Sequence, residues 1–260
     1  MAAEGDQGAR VVVVTEGGPH IWAIVNALAD RVGPVAVVLE RPESKKRLLL
    51  RRARRQGWLS AAGQLGTMAL IRLGKRFGAR HAERLIAAEG LETVPRPGQA
   101  IVEVASADSE ECTQAIRARN PGVVLLAGCR MLSAATLAGM PCPVLNYHAG
   151  ITPKYRGMNG GYWALANGDE DNFGTTIHLV DAGVDTGGVL GQARGRAKKG
   201  DTIATYALRM AAFSRDMCAE TVADALAGRL VALDPALPSR QWYHPTLWRY
   251  LWTGMTKGVW

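Results

Sequence analysis

Two strong hydrogen-bonding side chains stand one residue apart in the segment NYHAGITPKYRG, residues 146–157. Asn146 and His148 follow the apolar run CPVL, which indicates that they end a buried strand. Because side chains alternate along a strand, both point to the same side. An amide N–H and an imidazolium N–H that converge on one point could stabilise a developing oxyanion. A histidine at a strand end can equally be structural, so this pair needs a second signal.

The second signal is a pair of carboxylates in the glycine-rich segment HLVDAGVDTGGVL, residues 178–190. Asp185 directly precedes TGG, a turn that would hold it in the same crevice, and Asp181 is its competitor. A carboxylate beside a histidine can accept or relay a proton. The three residue types suit transfer of a carbonyl-bearing group to an amine. Asn146 and His148 would stabilise the oxyanion, and Asp185 would take the amine's proton directly or through water.

No metal site is predicted, because the possible ligands are dispersed and the four cysteines form no C-x-x-C pair. Reduced thiols and a polar N-terminus, MAAEGDQGAR, without the features of a signal peptide predict a cytoplasmic protein. The histidines are His20, His81, His148, His178 and His244.

The elements that must position these residues follow a βαβ pattern. Short apolar runs alternate with helical patterns, which predicts an open, mostly parallel twisted α/β sheet with helices on both faces. Two later strands are predicted to form an edge of mixed direction, and a long helix at 202–230 to close the domain. The predicted strands cover residues 10–18, 34–40, 100–106, 122–128, 143–148, 174–180 and 187–197.

The positive charge is concentrated in one segment. The chain of 260 residues carries a net charge of +8, and 48% of it is hydrophobic, enough for a sizeable core. Residues 41–90 hold thirteen Lys or Arg and three Glu, a net +10, which leaves −2 for the remainder. A basic surface confined to one segment argues against general affinity for nucleic acid.

Residues 43–90 and 231–260 stand outside the βαβ pattern, and the predicted domain boundaries are 1–230 for a catalytic domain and 231–260 for a tail. The first segment predicts a basic helical insertion around an uncharged stretch, residues 56–71, shorter than the ~20 residues that cross a bilayer. It would form a hairpin that packs on the sheet or on a second subunit, or an amphipathic element on an anionic membrane surface. The tail holds four of the seven tryptophans. They predict a packing or homo-oligomer surface, with substrate stacking as the alternative.

The first turn between strand and helix, TEGGPHI, has no G-x-G-x-x-G, and Glu16 stands where a pyrophosphate would lie, which disfavours a dinucleotide. Gly17 and Gly18 could still bring backbone N–H groups to an anionic ligand at the following helix. A tight turn alone would explain the two glycines as well.

The segment from Asn146 to Leu190 closely resembles the signature region of the folate-dependent formyltransferases, which include glycinamide ribonucleotide, methionyl-tRNA and sugar N-formyltransferases. The family order of N-x-H, a Pro-containing loop, a Gly-rich helix start, G-x-T and then D-x-G is present. One departure is Gly150-Ile151-Thr152-Pro153 in place of the usual Ser-Leu-Leu-Pro. A second is AGCRML, one residue shorter than the common form.

The resemblance implies 10-formyltetrahydrofolate as the formyl donor and requires no metal. It assigns the catalytic roles to Asn146, His148 and Asp185. Two loops, residues 128–132 and 180–185, would hold the pterin. The implied donor-binding residues are Gly128, Arg130, Met131, Leu132, Val180, Asp181 and Gly183. The residues predicted to bind the acceptor, apart from the resemblance, are Gly17, Gly18 and Arg156.

The acceptor is predicted by comparison within the family. Methionyl-tRNA enzymes carry a C-terminal β-domain where about 30 residues follow the last long helix in this chain. Glycinamide ribonucleotide enzymes lack the basic insertion and have a Gly–Asn loop that TEGGPH does not reproduce. A small-molecule amine is therefore expected, an amino sugar on a nucleotide above all. Glycinamide ribonucleotide, or a non-catalytic module that binds folate or a nucleotide, are the alternatives.

Overall fold

A seven-stranded mixed sheet forms the core of the computed structural model, which describes residues 8–260 without the side chains of residues 75–77. Residues 1–7, which carry most of the polar N-terminus, lie outside this description. The strand order is β3-β2-β1-β4-β5-β7-β8. The first five strands are parallel, β7 runs opposite to them, and β8 is antiparallel to β7. The strands are β1 (Val11–Thr15), β2 (Val35–Glu40), β3 (Ile101–Val104), β4 (Val123–Ala127), β5 (Val144–His148), β7 (Gly174–Leu179) and β8 (Val189–Arg194).

Helices cover both faces of this sheet. On one face α1 (Pro19–Val32) and α7 (Tyr206–Leu226) pack against each other and against the central strands. On the other face lie α4 (Glu110–Arg117) and α5 (Ala134–Ala138). The central strands are buried on both sides, which is why β1 and β4 are almost purely apolar. The predicted α/β class is confirmed, and the last long helix is shorter at both ends than its predicted range.

The basic insertion folds as two helices, α2 (Lys45–Gln56) and α3 (Trp58–Glu89), joined by Gly57. The hairpin predicted from the sequence is present, but α3 packs on α7 and on the C-terminal helix α8 (Leu247–Lys257), not on the sheet. None of the helices within residues 8–260 is both long enough and apolar enough to cross a bilayer.

The tail returns to the loop that follows β5. Its strand β9 (Gln241–Trp242) pairs in parallel with β6 (Arg156–Gly157), just before α6 (Gly160–Ala166). The Trp242 ring stacks on Tyr155 and Trp163, with centroid separations of 5.9 and 4.7 Å. The aromatic rings therefore fix the tail against the segment that lies beside the candidate site.

Candidate active site

The structure brings Asn146, His148 and Asp185 together on the sheet face that also carries Val144. Asn146 Nδ2 donates a hydrogen bond to Asp185 Oδ1 at 3.2 Å, and His148 Nδ1 lies 3.4 Å from Asp185 Oδ2. The alternate residues Leu145 and Tyr147 point to the opposite face and pack in the core beneath α1 and α7. The shared face inferred from strand alternation is thus present.

The route of the chain to Asp185 differs from a simple strand-end loop. Because β7 is antiparallel to β5, the chain leaves β7 beside the start of β5, where Val180 N donates to Val144 O at 2.9 Å. The loop then crosses the sheet face and carries Asp185 back to His148. The site therefore lies above β5, not only at the carboxyl ends of the parallel strands.

A fourth polar side chain, His178, completes the cluster and was not selected from the sequence. It lies directly opposite Asn146 in the antiparallel pair, with His178 Nε2 3.0 Å from Asn146 Nδ2 and 3.4 Å from Asp185 Oδ1. Its Nδ1 donates to Leu179 O at 2.7 Å, which leaves Nε2 free to accept from the amide in the neutral ring. The signal was the pairing register of β5 and β7, which spacing along the sequence does not reveal.

His148 is committed at both ring nitrogens. Nε2 donates to the carbonyl oxygen of Tyr155 at 2.8 Å, so a second proton at Nδ1 would face the carboxylate of Asp185. The ring is buried between these two partners. This arrangement fixes the orientation of the imidazole and places a positive charge, when the ring is protonated, beside Asp185.

Asp185 is largely buried and stays ionised because of its neighbours. Burial alone would raise the pKa of its carboxyl, but the charge of His148, the neighbouring His178 ring and the Gly157 N–H hold that pKa well below its usual range. Gly157 N donates to Oδ2 at 2.7 Å. The backbone of Asp185 has a φ of +50°, a left-handed conformation that Asp tolerates better than most residues.

The departure at Gly150 has a packing reason. A Cβ at this position would lie 2.6 Å from Tyr155 O, 2.7 Å from His148 Nε2 and 3.0 Å from the Cα of Gly160. A serine at this position would therefore displace the imidazole or the helix start. The loop is held instead by Thr176, whose Oγ1 donates to Gly150 O at 2.9 Å.

In the first predicted donor-binding loop, residues 128–132, the side chain of Arg130 binds other parts of the protein and is not directed to a ligand. Arg130 Nε forms an ion pair of 2.5 Å with the fully buried Glu40, and Arg130 Nη2 donates to Arg41 O and Ala105 O. Leu132 is buried in the core beneath α4 and α5, whereas half of Met131 is exposed. After Gly128, which has a positive φ, only Met131 and the backbone of this loop face outward for a ring to lie against.

The second predicted loop is braced from within. Asp181 Oδ1 accepts from Gly183 N at 3.0 Å and from the Thr186 hydroxyl at 2.7 Å, and Asp181 contacts none of the cluster residues. Val180 is tied to β5 by its backbone. The loop thus presents a shaped backbone next to Asp185, which is compatible with a flat heterocycle.

The predicted acceptor-binding residues lie in two places. Gly17 N donates to Thr15 Oγ1 at 2.8 Å, and Gly18 O accepts from the first turn of α1, so the turn is partly satisfied internally. Arg156 donates from Nη1 to Val184 O at 2.8 Å and so braces the loop that carries Asp185. Within the described residues no group of His, Cys, Asp and Glu could hold a metal ion.

The fold and the cluster define an α/β protein with a polar site fit for acyl transfer, and comparison with known proteins gives the family. A family model described as "Formyl transferase" matches residues 9–222. The chain belongs to the formyl transferase family.

Among curated relatives, methionyl-tRNA formyltransferase of Anaeromyxobacter dehalogenans (strain 2CP-C) is 32% identical over 142 residues, which is 54% of this chain and 45% of the relative. That of Koribacter versatilis (strain Ellin345) is 32% identical over 130 residues, 49% of this chain and 41% of the relative. The matched region spans less than half the length of these relatives.

Solved structures share the fold at low sequence identity. A glycinamide ribonucleotide transformylase of Symbiobacterium toebii has a TM-score of 0.56 and 22% identity, covering 90% of this chain and 92% of that one. A sugar N-formyltransferase of Shewanella sp FDAARGOS_354 has a TM-score of 0.54 and 17% identity, covering 90% and 76%. The N-formyltransferase of Helicobacter canadensis, solved with folinic acid and dTDP-3-aminofucose, has a TM-score of 0.54 and 12% identity, covering 90% and 70%.

Proposed function

We propose that this protein transfers the formyl group of 10-formyltetrahydrofolate to the primary amine of a small anionic acceptor, an amino sugar carried on a nucleotide. The observation that supports the reaction is that the amide of Asn146 and the imidazole of His148 each lie within 3.4 Å of the carboxylate of Asp185. The family membership supports a folate-type donor, and the folinic acid named for the Helicobacter canadensis structure is of the same class.

In the proposed reaction the acceptor nitrogen forms a bond to the formyl carbon, and the bond from that carbon to the donor nitrogen breaks. The proton lost by the amine ends on the leaving donor nitrogen, so tetrahydrofolate and the formamide are the products. Asn146 Nδ2 would donate to the oxygen of the tetrahedral centre, and the protonated His148 ring would stabilise the same charge from Asp185's side.

The proton acceptor needs a change in its surroundings. A carboxylate with a strongly lowered pKa is a poor match for proton transfer near neutral pH. Asn146 currently donates to Asp185, so turning that N–H toward the formyl oxygen would remove one hydrogen bond from the carboxylate. We infer that oxyanion formation raises the basicity of Asp185 at the moment when the amine must lose its proton, directly or through water.

A buried arginine supports an anionic acceptor. Arg52 on α2 is only 6% exposed, yet its guanidinium donates to two sulfur atoms, Met68 Sδ at 3.4 Å and Met158 Sδ at 3.9 Å. Met158 directly follows Gly157, which binds Asp185. A buried guanidinium without a carboxylate partner among the described residues is costly unless an anion completes it. A phosphate of the acceptor would supply that anion beside the reacting amine.

The test is a substrate panel with the full chain. Purified protein is incubated with 10-formyltetrahydrofolate and, separately, with amino-sugar nucleotides, glycinamide ribonucleotide and methionyl-tRNA, and formylated products are measured by mass spectrometry. The proposal predicts turnover on an amino-sugar nucleotide. Turnover confined to glycinamide ribonucleotide or to methionyl-tRNA would keep the reaction but contradict the amino-sugar nucleotide as its acceptor. Binding of folate with no turnover on any amine would support the non-catalytic alternative and contradict the reaction.

A further inference from the structure

One side of the molecule presents an apolar surface that the site does not use. We define the α3–α8 surface as the outward face of α3 and the outward face of α8. On α3 the side chains of Leu59 and Leu73 are 75% and 73% exposed, and on α8 Trp252 is 60% exposed. The members of this surface are Trp58, Leu59, Leu70, Leu73, Trp248, Trp252 and Met255.

These residues form one continuous surface because the two helices touch closely. A Cβ at Gly63 of α3 would lie 2.5 Å from the Trp248 ring, and one at Gly66 would lie 3.2 Å from Leu247. Small residues at the crossing let α8 approach α3. On α8, Trp248, Trp252 and Met255 follow the i, i+4, i+7 spacing of a single helix face. Exposed apolar groups of this number mark an interaction site.

The charge beside the surface selects its partner. Arg54 and Arg55, both exposed, are separated from Trp58 by Gln56 and Gly57, and the exposed Arg72 adjoins Leu73. Residues 41–90 carry a net +10. A symmetric contact between two copies would bring two such segments together and would be opposed by repulsion. Apolar and aromatic side chains beside Arg match a bilayer interface with anionic headgroups.

We propose that the α3–α8 surface binds peripherally to an anionic lipid bilayer, with its apolar side chains in the interface and the arginines on the headgroups. The surface includes two tail tryptophans, Trp248 and Trp252, as well as residues of the insertion. It also lies near the candidate site, because Arg52 of the same hairpin contacts Met158. This proposal does not depend on which amine is formylated.

Co-sedimentation of the full chain with vesicles tests the proposal. The vesicles contain phosphatidylcholine alone or phosphatidylcholine with phosphatidylglycerol, at low and high salt. The test variant is Leu59→Ser/Leu73→Ser. Its matched control is Val94→Ser/Val231→Ser, which removes two residues that are 67% and 71% exposed and lie outside this surface. Thermal melts check that both variants fold.

The wild type and the control are expected to sediment with the anionic vesicles, less so at high salt, and the test variant to lose roughly tenfold in partition. Absence of wild-type binding to anionic vesicles at low salt overturns the proposal, as does equal binding by test variant and control. Light scattering after size exclusion adds a further check. A dimer that only the test variant loses, without any vesicle binding, would assign the surface to a second copy instead.

Discussion

Two carboxylates on this molecule, the buried Glu40 and the largely buried Asp185, are held by different kinds of partner. Glu40, at the end of β2, accepts backbone N–H groups from Ala107 at 2.6 Å and from Arg130 at 2.8 Å, and pairs with the Arg130 side chain. Asp185 accepts one backbone N–H, from Gly157, and otherwise faces the side chains of Asn146 and two histidines.

Glu40 and Asp185 differ in whether their hydrogen-bonding partners can reorient. The partners of Glu40 are backbone groups and an arginine that is itself bound to two carbonyl oxygens, so this cluster ties the ends of three parallel strands together. The partners of Asp185 are side chains that can turn toward a ligand or exchange a proton. A satisfied carboxylate held by backbone is structural, whereas one held by an amide and imidazoles can take part in chemistry.

Substitution of Asp185 should reduce activity far more than substitution of Asp181 in the same loop. Asp185→Asn should lower kcat by roughly a hundredfold or more, because it removes the proton acceptor and the charge beside His148. Asp181→Asn is the matched control and should change kcat by less than about threefold, since Asp181 bonds only within its loop. Steady-state kinetics on the best acceptor of the panel measure both. A damaging Asp181→Asn with a mild Asp185→Asn would reverse the assignment of the acid.

Asn146→Ala should cost kcat a similar factor, roughly a hundredfold, because one oxyanion donor is lost. The melting temperature should stay near that of the wild type, since the amide is only partly buried. Circular dichroism melts run beside the kinetics distinguish the two effects. A collapse of the fold with this variant would instead make the amide structural.

Glu40→Gln tests the structural side of the comparison. It breaks a buried ion pair and should lower the free energy of unfolding by about 3 kcal/mol. The kcat per folded molecule should stay near the wild-type value, because Glu40 contacts no residue of the Asn146–Asp185 cluster. Urea unfolding and active-site-normalised kinetics give the two values. Lost turnover with unchanged stability would place Glu40 in the reaction.

Arg52→Met should weaken binding of the acceptor without lowering the stability of the fold. Removing an unpaired buried charge should leave the free energy of unfolding unchanged or raise it by about 1 kcal/mol. The KM of an anionic acceptor should rise about tenfold or more, since a hydrogen-bonded charge pair is lost. Arg52→Lys should recover part of the binding. An unchanged KM in Arg52→Met would show that Arg52 does not bind the anion of the acceptor.

The smallest effect concerns pH and lies outside both carboxylate clusters. Burial lowers the pKa of His20 to about 4, and burial also dominates in lowering the pKa of His244 to about 4. The unfolded chain takes up these protons near pH 6.5, so stability is complete above that value and is lost as the pH falls toward 4. His20→Gln should flatten the decline in melting temperature between pH 6.5 and 4. An unchanged slope would show that His20 is already protonated in the folded state.

Much of the fold could be predicted because local patterns specify it. The runs that form β1 and β4 are almost purely apolar, as expected of strands buried on both faces. The motif around Asn146 and His148 is contiguous in sequence. The meeting of Asp185 with these two residues could be expected from the glycine turn that follows it. The reversal of β7, which sends that loop across the sheet face, is a matter of strand direction that composition does not encode.

The residues missed from the sequence depend on contacts over long separations. His178 joins the cluster only through its register opposite Asn146. The sequence does not distinguish Arg52 from the other arginines of α2. In the structure its side chain faces inward and contacts Met158, whereas Arg54 and Arg55 are exposed. The commitment of Arg130 to Glu40 was likewise invisible, because 90 residues separate them.

The decisive measurement is an experimental structure of this protein with a bound unreactive folate that carries its formyl group on N10, as the proposed donor does. We expect the formyl oxygen to lie about 3 Å from Asn146 Nδ2 and the open face of the formyl carbon to face Asp185. A formyl group bound well beyond hydrogen-bond distance of both side chains, with the cluster undisturbed, would contradict acyl transfer at this site.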